Sequence, residues 1–235
     1  MKETLQALGL TNPITKLVTD LRGINPDDAF SDVPYEKGHT FLYYLEQLLG
    51  GPTVFEPFLR SYIDHFKYLS IDTNDFKQYF LKYFKNSSTI KEIDWNGWLF
   101  TPGTPLHIPN YDDTLLKVSV KLANDWITVT DNVAQNSSQI EAQFPIKSWK
   151  ALESGQKKLF FIELQERTIE KPLSVTVLNA ILKHYSMNDE HNAEVLCQWI
   201  LLGLKSRYEQ VVDDAIEFVT EIGRMKFIRP IYRQV

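Results

Sequence analysis

The chain has 235 residues, of which 43% are hydrophobic and 13% aromatic, so it is long and apolar enough for a packed core in one or two domains. Its formal net charge is −5 at pH 7, and its lysines and arginines are scattered among acids. This pattern argues against nucleic acid as a partner, and no apolar run approaches the length of a membrane span.

The first region is dominated by helical patterns. Apolar residues on nearly all sides of 39–49 predict a buried helix, which Gly50 and Gly51 would end in the left-handed region. Pro52 can open a second helix and Asp72 can cap a third. The predicted inner faces of these two helices are mostly aromatic: Phe55, Phe58, Leu59, Tyr62 and Phe66, then Phe76, Tyr79, Phe80, Tyr83 and Phe84. An aromatic stripe at this spacing predicts core.

A boundary is expected after Trp95 and Trp98. The segment T-P-G-T-P at 101–105, followed by Pro109, disfavours regular helix. We therefore predict a first domain at 1–100, a proline-rich linker at 101–111 and a second domain at 112–235.

The second region is also predicted to be helical. Leu115, Val118, Leu122 and Trp126 share one helical face, and a polar loop is expected at 135–143. Further helices are predicted at 146–166, 172–185, 189–203 and 207–222, with Gly223 ending the last of them. The run R-P-I-Y at 229–232 predicts the start of another helix, so we expect the domain to continue beyond the end of this sequence. Consecutive helices of this kind indicate stacked helix pairs.

Several longer motifs occur in an informative order. They are N-P-D-D-A at 25–29, D-V-P-Y-E-K-G at 32–38, F-L-Y-Y-L-E-Q-L-L-G-G-P at 41–52, D-W-N-G-W-L at 94–99, P-N-Y-D at 109–112 and G-R-M-K-F at 223–227. Together they resemble the C-terminal part of the leukotriene A(4) hydrolase family of gluzincin, or thermolysin-like, zinc aminopeptidases. The resemblance implies an all-α chain: the helical second half of a thermolysin-like catalytic domain, then a helical-pair domain of armadillo or HEAT type.

The resemblance assigns the role of oxyanion donor to Tyr35. In this family the tyrosine of the V-P-Y-E-K-G segment stands beside the zinc and donates a hydrogen bond to the tetrahedral intermediate. A phenol is protonated at neutral pH and can donate to developing negative charge. Without the resemblance, a tyrosine after proline is more often a rim residue that packs its ring. Glu36 and Lys37 are expected to be solvated charges at a helix start.

Arg224 and Lys226 match the pair that in this family recognises the carboxylate of a peptide or lipid substrate. A guanidinium can hold a carboxylate through two parallel hydrogen bonds, and a nearby ammonium adds charge. Taken alone, two cations after a helix end would only complement the helix dipole.

Asp27 matches an acidic residue that lines the pocket for the substrate's N-terminal end and is implicated in the epoxide reaction. An aspartate after proline in a turn is otherwise ordinary. Phe30 stands where the mammalian members carry a tyrosine that reacts covalently with the lipid epoxide. This difference leaves peptidase chemistry untouched but weakens any expectation of mammalian-like leukotriene handling.

The zinc-binding motif H-E-x-x-H is missing from the sequence. We therefore expect no metal in this chain alone, and zinc only in a longer parent enzyme whose upstream part binds it. The pairs Glu36/His39 and His191/Glu194 lack further ligands at metal-binding spacing.

Two functions stay open. The first is the C-terminal part of a zinc aminopeptidase with possible epoxide hydrolase activity, acting on peptide or lipid epoxide substrates. The second is a separate, non-catalytic helical scaffold or pseudoenzyme. A single cysteine, Cys197, and an N-terminus without a signal-peptide pattern predict a cytoplasmic protein.

Overall fold

The structure is a computed structural model that describes residues 1–130 and 137–234. All regular structure in these residues is helical, which confirms the predicted all-α class. The chain divides into two compact units, Met1–Tyr111 and Asp112–Val235. None of the helices within the described ranges is long and apolar enough to cross a membrane.

The first unit contains five α-helices and two short 3-10 helices. The α-helices are α1 (Lys2–Leu8), α2 (Val33–Leu48), α3 (Pro52–Phe66), α4 (Thr73–Tyr83) and α5 (Trp95–Phe100), and the 3-10 helices are Pro13–Thr15 and Ser88–Glu92. The second unit contains α6 (Thr114–Thr130), α7 (Ser137–Glu141), α8 (Ile146–Lys150), α9 (Ser154–Arg167), α10 (Val175–His184), α11 (Ala193–Lys205), α12 (Val211–Glu221) and α13 (Met225–Gln234), with a 3-10 helix at Met187–Asp189.

The helix ends in the first unit confirm the predicted signals. Gly50 and Gly51 both have positive φ, at 102° and 96°, and Pro52 opens α3. The Asp72 side chain accepts hydrogen bonds from the backbone nitrogens of Asn74 at 2.7 Å and Asp75 at 3.1 Å. Asp75 accepts in return from the backbone nitrogen of Asp72 at 2.9 Å, which completes a capping box.

The core of the first unit is built around Phe58. This side chain is completely buried, and seven rings lie within 6.2 Å of its ring centroid: Phe55, Tyr62, Phe76, Tyr79, Phe80, Tyr83 and Phe84. The predicted aromatic stripes of α3 and α4 are thus core, with Tyr83 at the solvent edge.

The proline-rich segment 101–111 is free of helix, and it lies along α2. The rings of His107 and Tyr44 are 5.5 Å apart, and those of Tyr111 and Tyr43 are stacked at 5.0 Å. This segment therefore belongs to the packing of the first unit, and its role as a domain linker stays a prediction.

In the second unit, α9 packs against both α6 and α11. Helices α12 and α13 also pack against α11. Its core runs through most of the unit. Near α6, the buried Trp126 stacks on Phe144 at 4.1 Å, and its indole nitrogen donates to the Tyr185 hydroxyl at 2.8 Å.

The structure corrects three predicted elements of the second unit. The single helix expected at 146–166 is two helices, because Glu153 and Gln156 form a capping box that starts α9 anew. Part of the expected loop at 135–143 is the short helix α7, while 135–136 lie outside the described residues. Leu115 and Val118 are exposed at the start of α6, although Trp126 on the predicted face is buried.

The last helix begins earlier than the run at 229–232 suggested. It starts at Met225 and includes Pro230. Phe227 and Ile231 lie one turn apart and are both buried, so continuous helix lets both reach the core. That burial offsets the hydrogen bond lost at proline.

Candidate functional site

Tyr35 lies in the first turn of α2, where Pro34 occupies an N-terminal helix position. Its side chain is 67% exposed, and the Phe30 ring meets it edge-on with centroids 6.3 Å apart. Among the described residues, no hydrogen-bond partner reaches its hydroxyl. The phenol is thus an available donor on a fixed helical turn.

Lys37 does not behave as the sequence suggested. We expected a solvated charge, but its side chain is completely buried. Its ammonium nitrogen donates to the carbonyl oxygens of Thr101 at 2.7 Å, Gly103 at 3.2 Å and Thr15 at 3.3 Å. Burial lowers the pKa of Lys37 below its ordinary value. The expectation was wrong because carbonyls from remote segments, which no local pattern reveals, converge on this nitrogen.

Asp27 lies in an exposed turn before α2. Its backbone nitrogen donates to the Asn25 side chain at 3.2 Å, and its carbonyl accepts from the Phe30 backbone nitrogen at 3.4 Å. Phe30 is 75% exposed. Phe30 thus contacts Tyr35 through its ring and Asp27 through its backbone, and all three side chains reach solvent.

Arg224 and Lys226 flank the start of α13 in the second unit, and they differ in their partners. The Arg224 side chain is exposed, and in the described part of the chain its guanidinium has no ion-pair partner. The Lys226 ammonium is bonded to Glu194 of α11 and lies 4.6 Å from the Phe227 ring centroid. Arg224 is the cation of this pair that is available to a new anion.

Glu194 joins three helices of the second unit. Its second carboxylate oxygen accepts from Lys158 of α9 at 2.9 Å. The hydrogen bond from Lys226 lowers the pKa of Glu194, partial burial opposes this shift, and Lys158 adds to the lowering. This network could not be predicted from the sequence. Spacing relates Glu194 only to the nearby His191, whereas both lysines come from other helices.

The described residues do not provide a zinc site. No three histidine, cysteine, aspartate or glutamate side chains among them are grouped to hold a metal ion. Cys197 is buried in α11, and burial raises the pKa of its thiol to about 11, which disfavours the thiolate that metals and electrophiles require. No chemical step through zinc is therefore assigned to the described residues.

Comparison with known proteins places the chain. Residues 1–98 match the peptidase family M1 domain, and residues 152–235 match the C-terminal family of leukotriene A4 hydrolase. Leukotriene A-4 hydrolase of Xenopus laevis is 39% identical, in a match that covers 100% of this chain and 37% of that protein. Leucine aminopeptidase 2 of Ajellomyces capsulatus is 34% identical, covering 99% and 36%.

Solved structures agree. Native leukotriene A4 hydrolase from Saccharomyces cerevisiae matches with a TM-score of 0.86 and 27% identity, over 98% of this chain and 38% of that one. The chain thus spans little more than a third of the length of these relatives. By sequence and by fold, it belongs to the leukotriene A4 hydrolase and M1 peptidase family, and corresponds to the C-terminal part of its members.

Proposed function

We propose that this chain works as the C-terminal part of a zinc aminopeptidase, which removes residues from the N-terminus of peptides. An upstream part of the same enzyme would bind the zinc. The observation that carries the proposal is the exposed hydroxyl of Tyr35, on the first turn of a well-packed helix, for which the described residues offer no hydrogen-bond partner. A relative named leucine aminopeptidase 2 supports the peptide substrate.

In this proposal Tyr35 stabilises the oxyanion. Hydrolysis of a peptide bond puts negative charge on the former carbonyl oxygen, and a fixed donor lowers the energy of that state more than it does the substrate's. The helix supports this use, because buried side chains on both sides of Tyr35, at Val33 and Lys37, hold its first turn in place. Little reorganisation of the donor would be needed during the reaction.

Arg224 provides the carboxylate site. Its exposed guanidinium has no competing acid within the described residues, so it can hold a terminal carboxylate in a bidentate pair. Lys226 contributes positive charge nearby, although Glu194 already occupies its ammonium. Asp27 would face the substrate's N-terminal amine, for which an exposed carboxylate is the fitting partner.

Epoxide hydrolysis is the second activity in this proposal. It is supported by the relative named leukotriene A-4 hydrolase. With Phe30 in place of the reactive tyrosine, covalent modification by a lipid epoxide should not occur at that position. The cytoplasm is the proposed location.

The competing function, a separate non-catalytic scaffold, makes opposite predictions about the gene and the protein. Translating the DNA upstream of Met1 should reveal H-E-x-x-H followed by a glutamate ligand. The purified chain by itself should contain no stoichiometric zinc and show no aminopeptidase activity. Upstream sequence without a zinc motif, or one tightly bound zinc per isolated chain, would contradict the proposal.

Tyr35→Phe tests the oxyanion role in the zinc-containing parent enzyme. The change removes one exposed hydroxyl with hardly any loss of packing. We expect kcat to fall on the order of 10² to 10³ with KM nearly unchanged, because the donor acts in the transition state. Steady-state kinetics on a peptide substrate measure both constants. Tyr83→Phe, also at an exposed tyrosine of the first unit, is the matched control and should leave kcat unchanged.

Arg224→Ala tests the carboxylate site separately. Its loss of activity should be large for tripeptides with a free carboxylate and small for the same peptides amidated, since only the free acid forms the bidentate pair. Arg207→Ala, at another exposed arginine of the second unit, is the control. Equal losses on both substrate types would return Arg224 to the role of a helix-end cation.

A further inference from the structure

Lys37 joins three segments of the first unit that are far apart in sequence. Its three acceptors, Thr15, Thr101 and Gly103, lie 22, 64 and 66 residues away. These segments are also bonded to each other, because the Gly103 backbone nitrogen donates to the Thr15 hydroxyl at 2.8 Å. That hydroxyl donates to the Asn12 carbonyl at 2.6 Å.

The junction leaves little room for movement. Gly103 has φ of 84°, and a Cβ added there would lie only 2.6 Å from the Leu10 carbonyl oxygen. Thr15 is completely buried beside it. The backbone of 101–103 is thus held close to that of 10–15, with the Lys37 ammonium between them.

The chemistry of this contact is unusual for a lysine. An ammonium has three donors, and here each has a carbonyl acceptor, while no carboxylate within the described residues pairs with it. Burying a charge without a counterion is costly, and the three carbonyl hydrogen bonds offset part of that cost. What an apolar side chain cannot do is fix the direction of three backbone groups at once.

The position of Lys37 on α2 connects this junction with Tyr35. Two residues correspond to about 200° of rotation around a helix, so the two side chains point to nearly opposite sides. Lys37 is completely buried, whereas Tyr35 is 67% exposed. Fixing Lys37 inside therefore fixes the direction in which the Tyr35 hydroxyl points outside.

We propose that Lys37 is a positioning residue for Tyr35: it sets the rotation and placement of the first turns of α2 by binding the carbonyls of Thr15, Thr101 and Gly103. The proposal rests on the oxyanion role of Tyr35 proposed above. Lys37 touches neither substrate nor metal in this role. Its effect on the reaction passes entirely through the tyrosine.

A double-mutant cycle in the zinc-containing parent enzyme tests this coupling. Lys37→Met keeps the length of the side chain and removes the three donors. We expect kcat to fall about 10-fold with little change in KM, because small displacements of a catalytic group are costly. In the Tyr35→Phe background the same change should lower kcat less than about 2-fold, since the hydroxyl that it misplaces is already gone.

Two further variants separate positioning from general stability. Thr15→Val removes the acceptor for the Gly103 backbone nitrogen and the donor to the Asn12 carbonyl, and leaves the Lys37 ammonium and its three carbonyl acceptors in place, so it serves as the test if Lys37→Met does not fold. It should show a smaller loss of kcat, about 3-fold, that also disappears in the Tyr35→Phe background. Leu45→Ala truncates a completely buried side chain on the same helix, away from the junction. It should lower the melting temperature and leave kcat unchanged at temperatures where the enzyme is folded.

The outcomes are distinguishable. Equal losses of kcat from Lys37→Met with and without the Tyr35 hydroxyl would overturn the positioning role, as would a loss of stability with kcat unchanged. Either result leaves the oxyanion role intact if Tyr35→Phe alone is strongly impaired. A Tyr35→Phe enzyme with normal kcat would instead overturn the oxyanion role, and the positioning role with it.

Discussion

The two units achieve their order in different ways. In the first, the core is a cluster of rings around Phe58, and one buried ammonium, that of Lys37, holds loop segments against α2. In the second, helix pairs share a core that runs through most of the unit, and the charged network around Glu194 stays partly exposed. The contacts described for the first unit converge on a few residues, whereas those of the second unit are spread over many.

The anchoring of α2 by Lys37 bears on the proposed function. The proposed donor, Tyr35, lies on the helix that the buried ammonium anchors. The backbone is therefore held in place where a catalytic group would need a fixed position. Arg224 lies between two helices of the second unit, and within the described ranges its side chain makes no hydrogen bond or ion pair. A carboxylate clamp tolerates this freedom better than an oxyanion donor does, because a long guanidinium can adjust to its ligand.

Phe58→Ala is the largest test of this contrast. Truncating a completely buried ring that meets seven others should lower the free energy of unfolding by about 3–5 kcal/mol. Chemical denaturation measures the loss, and amide hydrogen exchange should locate it in α3 and α4. The matched control is Ile63→Ala on the exposed side of α3, where about 0.5 kcal/mol or less is expected. A small effect of Phe58→Ala would mean that the first core is distributed as well.

Gly203→Ala tests the close helix packing of the second unit. A Cβ there would lie 2.7 Å from a methyl group of Val211, the first residue of α12. Alanine favours helix by up to about 1 kcal/mol, but the overlap should prevail and destabilise by about 1–3 kcal/mol. Gly155→Ala is the control, because a Cβ at that helical position meets nothing within 4 Å. It should be neutral or slightly stabilising by thermal denaturation, and equal effects of the two changes would refute the packing argument.

A feature of this fold could be predicted from the sequence when the residues that determine it lie close together in the chain. Local signals succeeded: the Asp72 cap, the glycine pair before Pro52 and the aromatic stripes all lie within a few residues of the structure that they specify. The burial of Lys37 could not be predicted, because its acceptors are 22 to 66 residues away. The helix start predicted at 229–232 was wrong for a similar reason. Pro230 lies inside α13, where the tertiary burial of Ile231 favours continuing the helix.

The site residues depend on the same distinction between local and remote signals. Family motifs predict roles for Tyr35 and Arg224 from short runs of sequence; both side chains are exposed, and their roles stay predictions. The partner of Lys226 could not be found in this way. Glu194 comes from another helix, 32 residues earlier in the chain, and its meeting with Lys226 depends on how α11 packs against α13.

Glu194→Gln should have the smallest effect, because the network that it breaks is partly exposed. At neutral pH we expect a loss of about 1 kcal/mol or less, reduced by solvent screening. The lowered pKa of Glu194 fixes the sign: the folded protein holds the carboxylate ionised at a pH where the unfolded chain already binds a proton. The stabilisation is therefore present above the ordinary glutamate pKa and is lost as pH falls through the lowered one. Thermal denaturation across acidic pH should show the variant and the parent converging. Glu170→Gln, at an exposed glutamate of the same unit, should track the parent throughout, and a constant gap for Glu194→Gln would mean that packing, and not charge, makes the contact.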